Sequence, residues 1–111
     1  MSAMPIRAEL RDERGNAIRG LDDPSGGTFD AAGDFDRLLA AGSPTCRLLH
    51  YVDPYGDTMF NSVQMSDVLD DIERLGQQEL KPTERRGLDR LRAMCHRCRD
   101  SVHLYVWFIG D

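Results

Sequence analysis

The final stretch of the chain, residues 102–109, reads Val-His-Leu-Tyr-Val-Trp-Phe-Ile. Consecutive side chains of a β-strand point to opposite faces of a sheet. In this stretch both sets of side chains are apolar or aromatic, apart from His103. A strand with that pattern needs cover on both faces. The sequence therefore predicts that a strand over 102–109 lies inside a sheet.

A β-hairpin is predicted near the start of the chain, over residues 5–12 and 16–21. Apolar and charged residues alternate in the first range, which is the period of a strand with one buried face. The sequence Asp-Glu-Arg-Gly at 12–15 then favours a type I turn whose glycine forms a bulge. Such a turn closes the hairpin with a three-residue loop.

The closure of this loop sets the register of the hairpin. Leu10 then lies opposite Ile18 on the core face, and Glu9 lies opposite Arg19 on the solvent face. A half-buried hairpin needs an apolar pair inside and an ion pair outside, so the register agrees with the alternation.

A second hairpin is predicted over residues 46–52 and 58–63. Its turn is Asp-Pro-Tyr-Gly at 53–56, in which aspartate, proline and glycine occupy the positions that a type I turn favours. Closing the loop by the same rule places His50 opposite Phe60. Neither face of this hairpin is cleanly polar, so we expect it to lie centrally with cover on both sides.

Three helices are predicted from capping residues and apolar spacing. Ser66 can cap a helix over 67–77, and Pro82 stands near the start of the next helix. Asp34 can cap a short helix earlier in the chain. The apolar stripes are Val68, Leu69, Ile72 and Leu75 in the first of these, Leu88, Leu91, Met94, Cys95 and Cys98 in the second, and Phe35, Leu38 and Leu39 in the short helix.

Together these elements predict an α+β fold with a single domain over residues 1–111. Two β-hairpins and the C-terminal strand form a largely antiparallel sheet, which packs against two or three helices. A chain of 111 residues has the length of one domain and can bury a core without disulfides or a structural metal. The same length excludes a barrel enzyme and a complete dinucleotide-binding domain.

The charge balance limits the partners that the chain can attract. Lys and Arg number 14 and Asp and Glu number 19, which gives a net charge of −5 with neutral histidines. A net negative charge works against non-specific binding to nucleic acid and to anionic membranes, so we expect neither as a partner. It suits a basic protein partner, because opposite charges speed the encounter of two proteins.

Several features of the sequence predict a cytoplasmic protein of bacterial origin. No stretch approaches the roughly 20 apolar residues that cross a bilayer. The first ten residues lack the apolar core of a signal peptide. Three cysteines, an odd number, suit a reducing compartment better than a disulfide framework. All basic residues except Lys81 are arginines, a bias that we attribute to a GC-rich bacterial genome.

The sequence Cys-His-Arg-Cys at 95–98 is a CxxC motif, which redox enzymes and zinc sites share. A redox pair needs the N-terminus of a helix to lower the thiol pKa, whereas this pair stands near the end of a predicted helix. A zinc site needs about four ligands, and Cys46 and His50 are the candidates to join Cys95 and Cys98. Both cysteines continue an apolar stripe, so we expect buried structural cysteines, with neither a metal nor a cofactor. The zinc site is the weaker alternative.

Two groups of polar residues are candidate binding surfaces. The second predicted hairpin carries polar side chains that turn chemistry does not explain, and exposed loops on rigid hairpins often carry function. A loop over 22–33, rich in Pro, Gly and Asp, leads into a further acidic stretch. An acidic segment over 67–73 precedes an arginine-rich segment over 85–99, and we expect these adjacent helices to complement each other in charge. The candidate residues are Tyr55, Asp57, Asn61 and Gln64 in the hairpin and Asp22, Asp23, Asp34 and Asp36 in the acidic loop.

Two segments of the chain resemble a group of small uncharacterised bacterial proteins. Residues 51–61 read Tyr-Val-Asp-Pro-Tyr-Gly-Asp-Thr-Met-Phe-Asn, and residues 103–111 read His-Leu-Tyr-Val-Trp-Phe-Ile-Gly-Asp. Members of that group carry an Asp-Pro-Tyr-Gly-Asp-Thr hairpin and end in an aromatic strand closed by Gly-Asp. The resemblance covers residues 45–111 and, loosely, the first hairpin. It implies a common fold, and it implies no activity and no catalytic residue.

Two functions of different classes fit the sequence. The first is a non-enzymatic protein-interaction module, similar to an inhibitor or immunity protein of a basic toxin, because no catalytic arrangement of residues is recognisable. The alternative is a small-molecule or metal-binding module, with hydrolytic activity as a further option, centred on residues 53–64. It predicts a concave pocket beside Tyr55, Asp57 and Asn61. A third hypothesis concerns assembly: the apolar last strand pairs or packs across a two-fold axis and forms a homodimer.

Overall fold

The computed structural model describes residues 6–18, 39, 46–53 and 55–110. These residues form an α+β fold with a three-stranded antiparallel sheet and helices of 12 and 18 residues. In chain order the elements are strand β1 (Arg7–Asp12), a 3-10 turn (Leu49–Tyr51), strand β2 (Asp57–Asn61), a second 3-10 turn (Ser62–Gln64), helix α1 (Met65–Gly76), helix α2 (Pro82–Arg99) and strand β3 (Leu104–Ile109).

Strand β3 lies in the centre of the three-stranded sheet, which agrees with the expectation that this strand lies inside a sheet. β1 and β2 both pair with it antiparallel, in the order β1-β3-β2. Phe108 stands opposite Ala8 on one side and Thr58 on the other. The strand begins at Leu104 and not at Val102, whose side chain is 73% exposed in the preceding turn. Because β1 and β2 occupy both edges of β3, this strand has no free edge for a second copy of the chain.

One face of the sheet forms the core with the two helices. Side chains from all three strands are buried there, and the rings of Phe60 and Phe108 meet edge to face with their centroids 5.9 Å apart. The apolar stripes of both helices belong to the same buried cluster, which removes them from water. The core includes Ala8, Leu10, Phe60, Val106 and Phe108 from the sheet, Met65, Val68, Ile72 and Leu75 from α1, and Leu88, Leu91, Met94, Cys95 and Cys98 from α2.

The turn after β1 has the predicted three-residue form. The Asp12 N–H donates to the Asn16 carbonyl at 3.0 Å, and Gly15 takes a φ of +83° at the bulge. Glycine favours this backbone conformation because it lacks the Cβ that would clash there in other residues. The Ile18 N–H donates to the Leu10 carbonyl at 2.8 Å, in agreement with the predicted register.

Beyond this turn, the described part of the return segment makes an isolated bridge between Arg11 and Ala17. The predicted pair of Glu9 with Arg19 lies outside the described residues, because Arg19 does. Glu9 forms ion pairs within β1: its carboxylate lies 2.9 Å from Nε of Arg11 and 3.8 Å from a terminal nitrogen of Arg7.

The second predicted hairpin is wrong. Residues 46–52 form no strand, and β2, which is shorter than the predicted 58–63, pairs with β3 instead. His50 and Phe60 are therefore not cross-strand partners. The buried carboxylate of Asp71 accepts the backbone N–H groups of Arg47, Leu48 and Leu49, so these donors are not available to a neighbouring strand.

The turn at 53–56 is present, although it joins different elements. The Gly56 N–H donates to the Asp53 carbonyl at 3.4 Å, and the Tyr55 N–H donates to Oδ1 of Asp53 at 2.8 Å. Pro54 lies outside the described residues. The tetrapeptide connects the first 3-10 turn to β2, so its local chemistry was predicted correctly and its neighbours were not.

Helix α1 begins two residues earlier than predicted, and Ser66 is not its cap. The Asn61 side chain accepts from the Gln64 N–H at 3.2 Å, and the Gln64 side chain accepts from the Asn61 N–H at 2.9 Å. This reciprocal capping box starts the second 3-10 turn, which runs directly into α1. The capping residues therefore stand four and one positions before the helix.

Helix α2 begins at Pro82, as predicted, and its predicted apolar stripe is buried throughout. Of the short helix predicted near residue 35, the structure describes Leu39, which is helical and buried. The Asp34 cap, Phe35 and Leu38 lie outside the described residues. No helix in the described part of the chain is long and apolar enough to span a membrane.

Candidate functional site

The turn before β2 carries two of the predicted site residues on its outside. Tyr55 is 74% exposed, and Asp57 is exposed at the first position of β2. The carboxylate of Asp57 has no hydrogen-bond or ion-pair partner among the described residues. Asp53, at the start of the turn, is exposed as well. We call the side chains of Asp53, Tyr55 and Asp57 the turn surface.

Four hydrogen bonds hold the backbone beneath the turn surface. Two of them join Tyr55 and Gly56 to Asp53, as described above. In addition, the Asp53 N–H donates to Oγ1 of Thr58 at 3.0 Å, and the Gly110 N–H donates to the Gly56 carbonyl at 2.7 Å. A Cβ on residue 56 would lie 2.9 Å from Oδ2 of Asp53, so glycine lets this carboxylate close over the turn. These hydrogen bonds restrain the backbone of the described residues beneath the turn surface.

The other predicted site residues do not join the turn surface. Asp57 and Asn61 are the first and last residues of β2, about 13 Å apart along the strand. The side-chain oxygens of Asn61 and Gln64 accept each other's backbone N–H groups in the capping box. The acidic-loop candidates Asp22, Asp23, Asp34 and Asp36 lie outside the described residues.

Sequence analysis missed a row of side chains on the sheet face opposite the helices. Glu9, Trp107 and Met59 lie side by side across the three strands. The guanidinium of Arg11 lies 4.8 Å from the centroid of the Trp107 ring, within range of a cation–π interaction. Nε1 of Trp107 is shielded from solvent and donates to no acceptor in the described part of the chain. The alternation within each strand predicts which residues share a face, but only the register between the strands shows that these three side chains are neighbours.

The acidic segment of α1 divides into exposed and buried parts. Asp67 lies 3.8 Å from Arg47, and Glu73 lies 3.3 Å from Nε of Arg92 on α2. The second of these ion pairs is the charge complementarity predicted between the two helices. Asp71 is different, because its side chain is completely buried and belongs to no surface.

The Asp71 carboxylate is a hydrogen-bonding centre for the segment that precedes the turn surface. Oδ1 accepts the Arg47 N–H at 2.8 Å and a terminal N–H of Arg74 at 3.1 Å. Oδ2 accepts the N–H groups of Leu48 at 2.8 Å and of Leu49 at 3.0 Å. A buried carboxylate is costly unless it is hydrogen-bonded, and four donors satisfy this one. Asp71 thereby ties the first 3-10 turn to α1.

The arginine-rich segment is not a uniformly exposed basic stripe. An open groove of about 430 Å³ runs along the start of α2. Arg92 is engaged with Glu73 and Asp89, Arg90 is buried, and Nε of Arg86 is shielded from solvent. The groove is lined by Pro82, Thr83, Arg85, Arg86 and Asp89.

The cysteines occupy the interior, as predicted for structural residues. Cys46, Cys95 and Cys98 are all buried and free, and the Cys98 thiol donates to the Leu104 carbonyl at 3.3 Å. Burial raises the pKa of the Cys95 thiol, and it raises the pKa of Cys98 to about 11. His50, the remaining candidate ligand, is exposed. In the residues that the structure describes, no three His, Cys, Asp or Glu side chains converge as a metal site would require.

The stability of the fold is expected to fall in alkaline solution because burial raises the pKa of the Cys95 and Cys98 thiols. Cys98 gives the range in which the fall is measured. Its ordinary pKa is 9.0, and in the folded state it is about 11. Between these values the unfolded chain releases the proton while the folded chain keeps it, so the free energy of unfolding decreases as the pH rises from 9 toward 11. Urea unfolding at several pH values in this range measures the slope. Cys98→Ala should make the slope shallower, and an unchanged slope in that variant would contradict the assignment.

Comparisons with known proteins supply no relative from which to take a function. No protein-family model, no curated protein and no solved structure matches the chain. A function for this protein therefore depends on the geometry and charge of its own residues.

Proposed function

We propose that this protein is a non-enzymatic protein-interaction module, of the inhibitor or immunity-protein kind, and that it binds a basic protein partner. The observation that carries the proposal is the turn surface. It combines an exposed tyrosine with exposed carboxylates on a backbone that is fixed by four hydrogen bonds.

Each part of the turn surface suits recognition of a protein. Tyrosine is enriched at the centres of protein interfaces, where its ring buries a large area and its hydroxyl forms hydrogen bonds. The free carboxylate of Asp57 and the net charge of −5 favour a partner that carries Lys or Arg. A backbone that hydrogen bonds already restrain loses less conformational entropy when the partner binds.

The alternative function, a small-molecule or metal-binding module on residues 53–64, receives less support. Such a site needs several polar groups that converge on one ligand. The amides of Asn61 and Gln64 are engaged in the capping box, about 13 Å along the strand from Asp57. Tyr55 projects into solvent at 74% exposure.

Affinity capture followed by measured binding tests the proposed function. The full chain is immobilised, bound proteins are recovered from an extract of the source organism, and each is purified for titration calorimetry. We expect a basic protein whose affinity falls at least about tenfold with Tyr55→Ala, the loss typical of a central interface residue. Asp57→Lys should lower the association rate most strongly at low salt.

Asp100→Lys is the matched control for the charge change. Asp100 is exposed at the end of α2, before the opposite end of β3, and its ion pair with Arg99 is long at 3.8 Å. This variant should bind like the unchanged chain. The proposal fails if no basic protein is recovered, or if the recovered partner binds the Tyr55 and Asp57 variants as tightly as it binds the control.

A further inference from the structure

Strand β2 lies at an edge of the sheet, and its hydrogen-bonding pattern shows which backbone groups face outward. In an antiparallel pair, alternate residues exchange hydrogen bonds with the neighbouring strand. The Gly110 N–H donates to the Gly56 carbonyl, and the register places these two residues opposite each other. Thr58 and Phe60, two and four residues further on, are therefore the positions of β2 that bond to β3. The backbone groups of the residues between them face away from the sheet.

The outward groups of β2 form a short unpaired edge. Asp57 and Met59 each direct an N–H and a carbonyl away from β3, and no described strand pairs with them. At the end of the strand the Asn61 N–H is already bonded to the Gln64 side chain. The available edge thus offers two donors and two acceptors, enough for four hydrogen bonds with one added strand.

The side chains along this edge set the chemistry of what can pair with it. Thr58 and Phe60 point to the core face, whereas Asp57 and Met59 lie on the opposite face of the sheet. Met59 is 48% exposed, and the carboxylate of Asp57 is exposed without a described ion-pair partner. A strand added beside β2 would therefore place one of its side chains next to an uncompensated negative charge.

We propose that an extended segment of the basic partner adds to the outer edge of β2 as a fourth strand, with a Lys or Arg side chain beside Asp57. This inference rests on the proposed function and specifies how the partner is held. Main-chain hydrogen bonds to Asp57 and Met59 supply the pairing, and the carboxylate selects a cationic residue. Tyr55, next to the edge, packs against the same partner.

Charge favours a basic segment over a second copy of this chain as the strand that pairs with the outer edge of β2. A two-fold axis at the edge would align two copies of β2 antiparallel and bring both Asp57 carboxylates, with the other carboxylates of the two turn surfaces, into one short interface. Like charges on neighbouring strands are destabilising, whereas a cationic segment gains an ion pair at the same place. A basic segment is therefore the occupant that fits this edge.

A titration with designed peptides tests the strand addition on the full chain. The probe is a capped hexapeptide that alternates arginine and valine, and its control has glutamate in place of arginine. Backbone amide NMR is expected to show the largest shifts at Asp57 and Met59, together with slower hydrogen exchange of the Met59 N–H. The arginine peptide should bind at least about tenfold more tightly than the glutamate peptide, which corresponds to about 1.4 kcal/mol.

Two substitutions separate backbone pairing from side-chain contact. Met59→Pro removes an N–H that does not bond to β3, and proline is tolerated at such edge positions. It should abolish peptide binding, whereas Met59→Thr, which keeps the N–H, should retain it. Asp57→Lys should lose the preference for arginine, and Asp100→Lys should keep it. If Met59→Pro does not fold, the Asp57→Lys result and the exchange of the Met59 N–H still decide the question.

Three outcomes would overturn the proposal. They are shifts centred away from β2, equal affinity for the two peptides, and a dimer in sedimentation that Met59→Pro dissociates, since the occupant would then be a second copy. Failure of the proposed function is recognised separately. Suppose that a basic partner is captured and that Tyr55→Ala lowers its affinity, while the peptides cause no NMR shifts in β2. The proposed function is then supported and strand addition is contradicted.

Discussion

Replacing Asp71 with alanine is expected to lower the free energy of unfolding by about 3 kcal/mol or more, because hydrogen bonds to a charged acceptor contribute about 1.5–3 kcal/mol each. The side chain is completely buried and accepts four hydrogen bonds. Its loss leaves the N–H groups of Arg47, Leu48 and Leu49 without the acceptor they have in the fold. A buried donor without an acceptor costs about 1–3 kcal/mol, and the effects of neighbouring donors are not additive.

The structure offers a closely matched control for this substitution. Asp70 is the preceding residue of α1, and it is exposed without a described hydrogen bond or ion pair. Asp70→Ala should change the free energy of unfolding by no more than about 0.5 kcal/mol, as surface substitutions usually do. Urea denaturation followed by circular dichroism measures both variants. Equal effects of the two substitutions would show that the Asp71 hydrogen bonds do not stabilise the fold.

Asp71→Asn separates the contribution of hydrogen-bond acceptance by this carboxylate from the contribution of its packing volume. Asparagine has nearly the same shape but one acceptor oxygen, and its amide nitrogen is a donor. Since both oxygens of Asp71 accept backbone N–H groups, either orientation of the amide sets a donor against a donor. The asparagine variant should therefore recover only part of the stability lost in Asp71→Ala. Full recovery would mean that packing, and not hydrogen bonding, is the role of the residue.

Phe108→Ala is expected to destabilise the protein by about 3–5 kcal/mol, as truncation of a buried phenylalanine does. Phe108 is fully buried on the central strand, and its ring meets that of Phe60. Removal of the ring loses the free energy gained by burying it and leaves a cavity in the core. For a domain of this size the loss should lower Tm by at least about 10 °C in a thermal scan.

Val102→Ala is the control for this experiment, and it also tests where the last strand begins. A strand over 102–109 would place Val102 on the same face as Phe108, and its truncation would then be costly. In the structure Val102 lies in the turn before Leu104 with its side chain 73% exposed. We therefore expect a change within about 0.5 kcal/mol. A large loss at Val102 would indicate that the strand extends as far as its sequence pattern does.

The elements that were predicted correctly depend on patterns within a few residues of one another. The loop that closes at Asn16 needs only an aspartate and a glycine three positions apart, and the resulting φ of +83° is at Gly15. Helix α2 follows from Pro82 at its start and from apolar residues at helical spacing. Such patterns act through the nearest backbone, so no distant contact is needed to recognise them.

A local sequence pattern also marks the start of α1, although the predicted start at residue 67 is two residues too late. Asn61 and Gln64 stand three residues apart, which is the spacing of a capping box, and an apolar residue follows at Met65. Ser66 fits the pattern of a single-residue cap, but the reciprocal pair begins the helix two residues earlier than that pattern predicts. The candidate binding residues Asn61 and Gln64 form this capping box, and their side-chain oxygens accept each other's backbone N–H groups.

The residues by themselves determined that the last strand lies inside a sheet, that the chain turns at 12–15, and that two amphipathic helices contribute to the core, because hydrophobic period and turn chemistry are local properties. Only the tertiary structure placed β3 in the centre of the sheet. Only the tertiary structure decided what the segment 46–52 does. Its backbone could pair with β2 or with a carboxylate 22–24 residues away, and Asp71 satisfies its N–H groups inside the core. β2 is thereby left with an outer edge unpaired among the described strands. No local pattern predicts whether the N–H groups of this segment bond to β2 or to Asp71, because the result depends on which acceptor the folded chain brings closer.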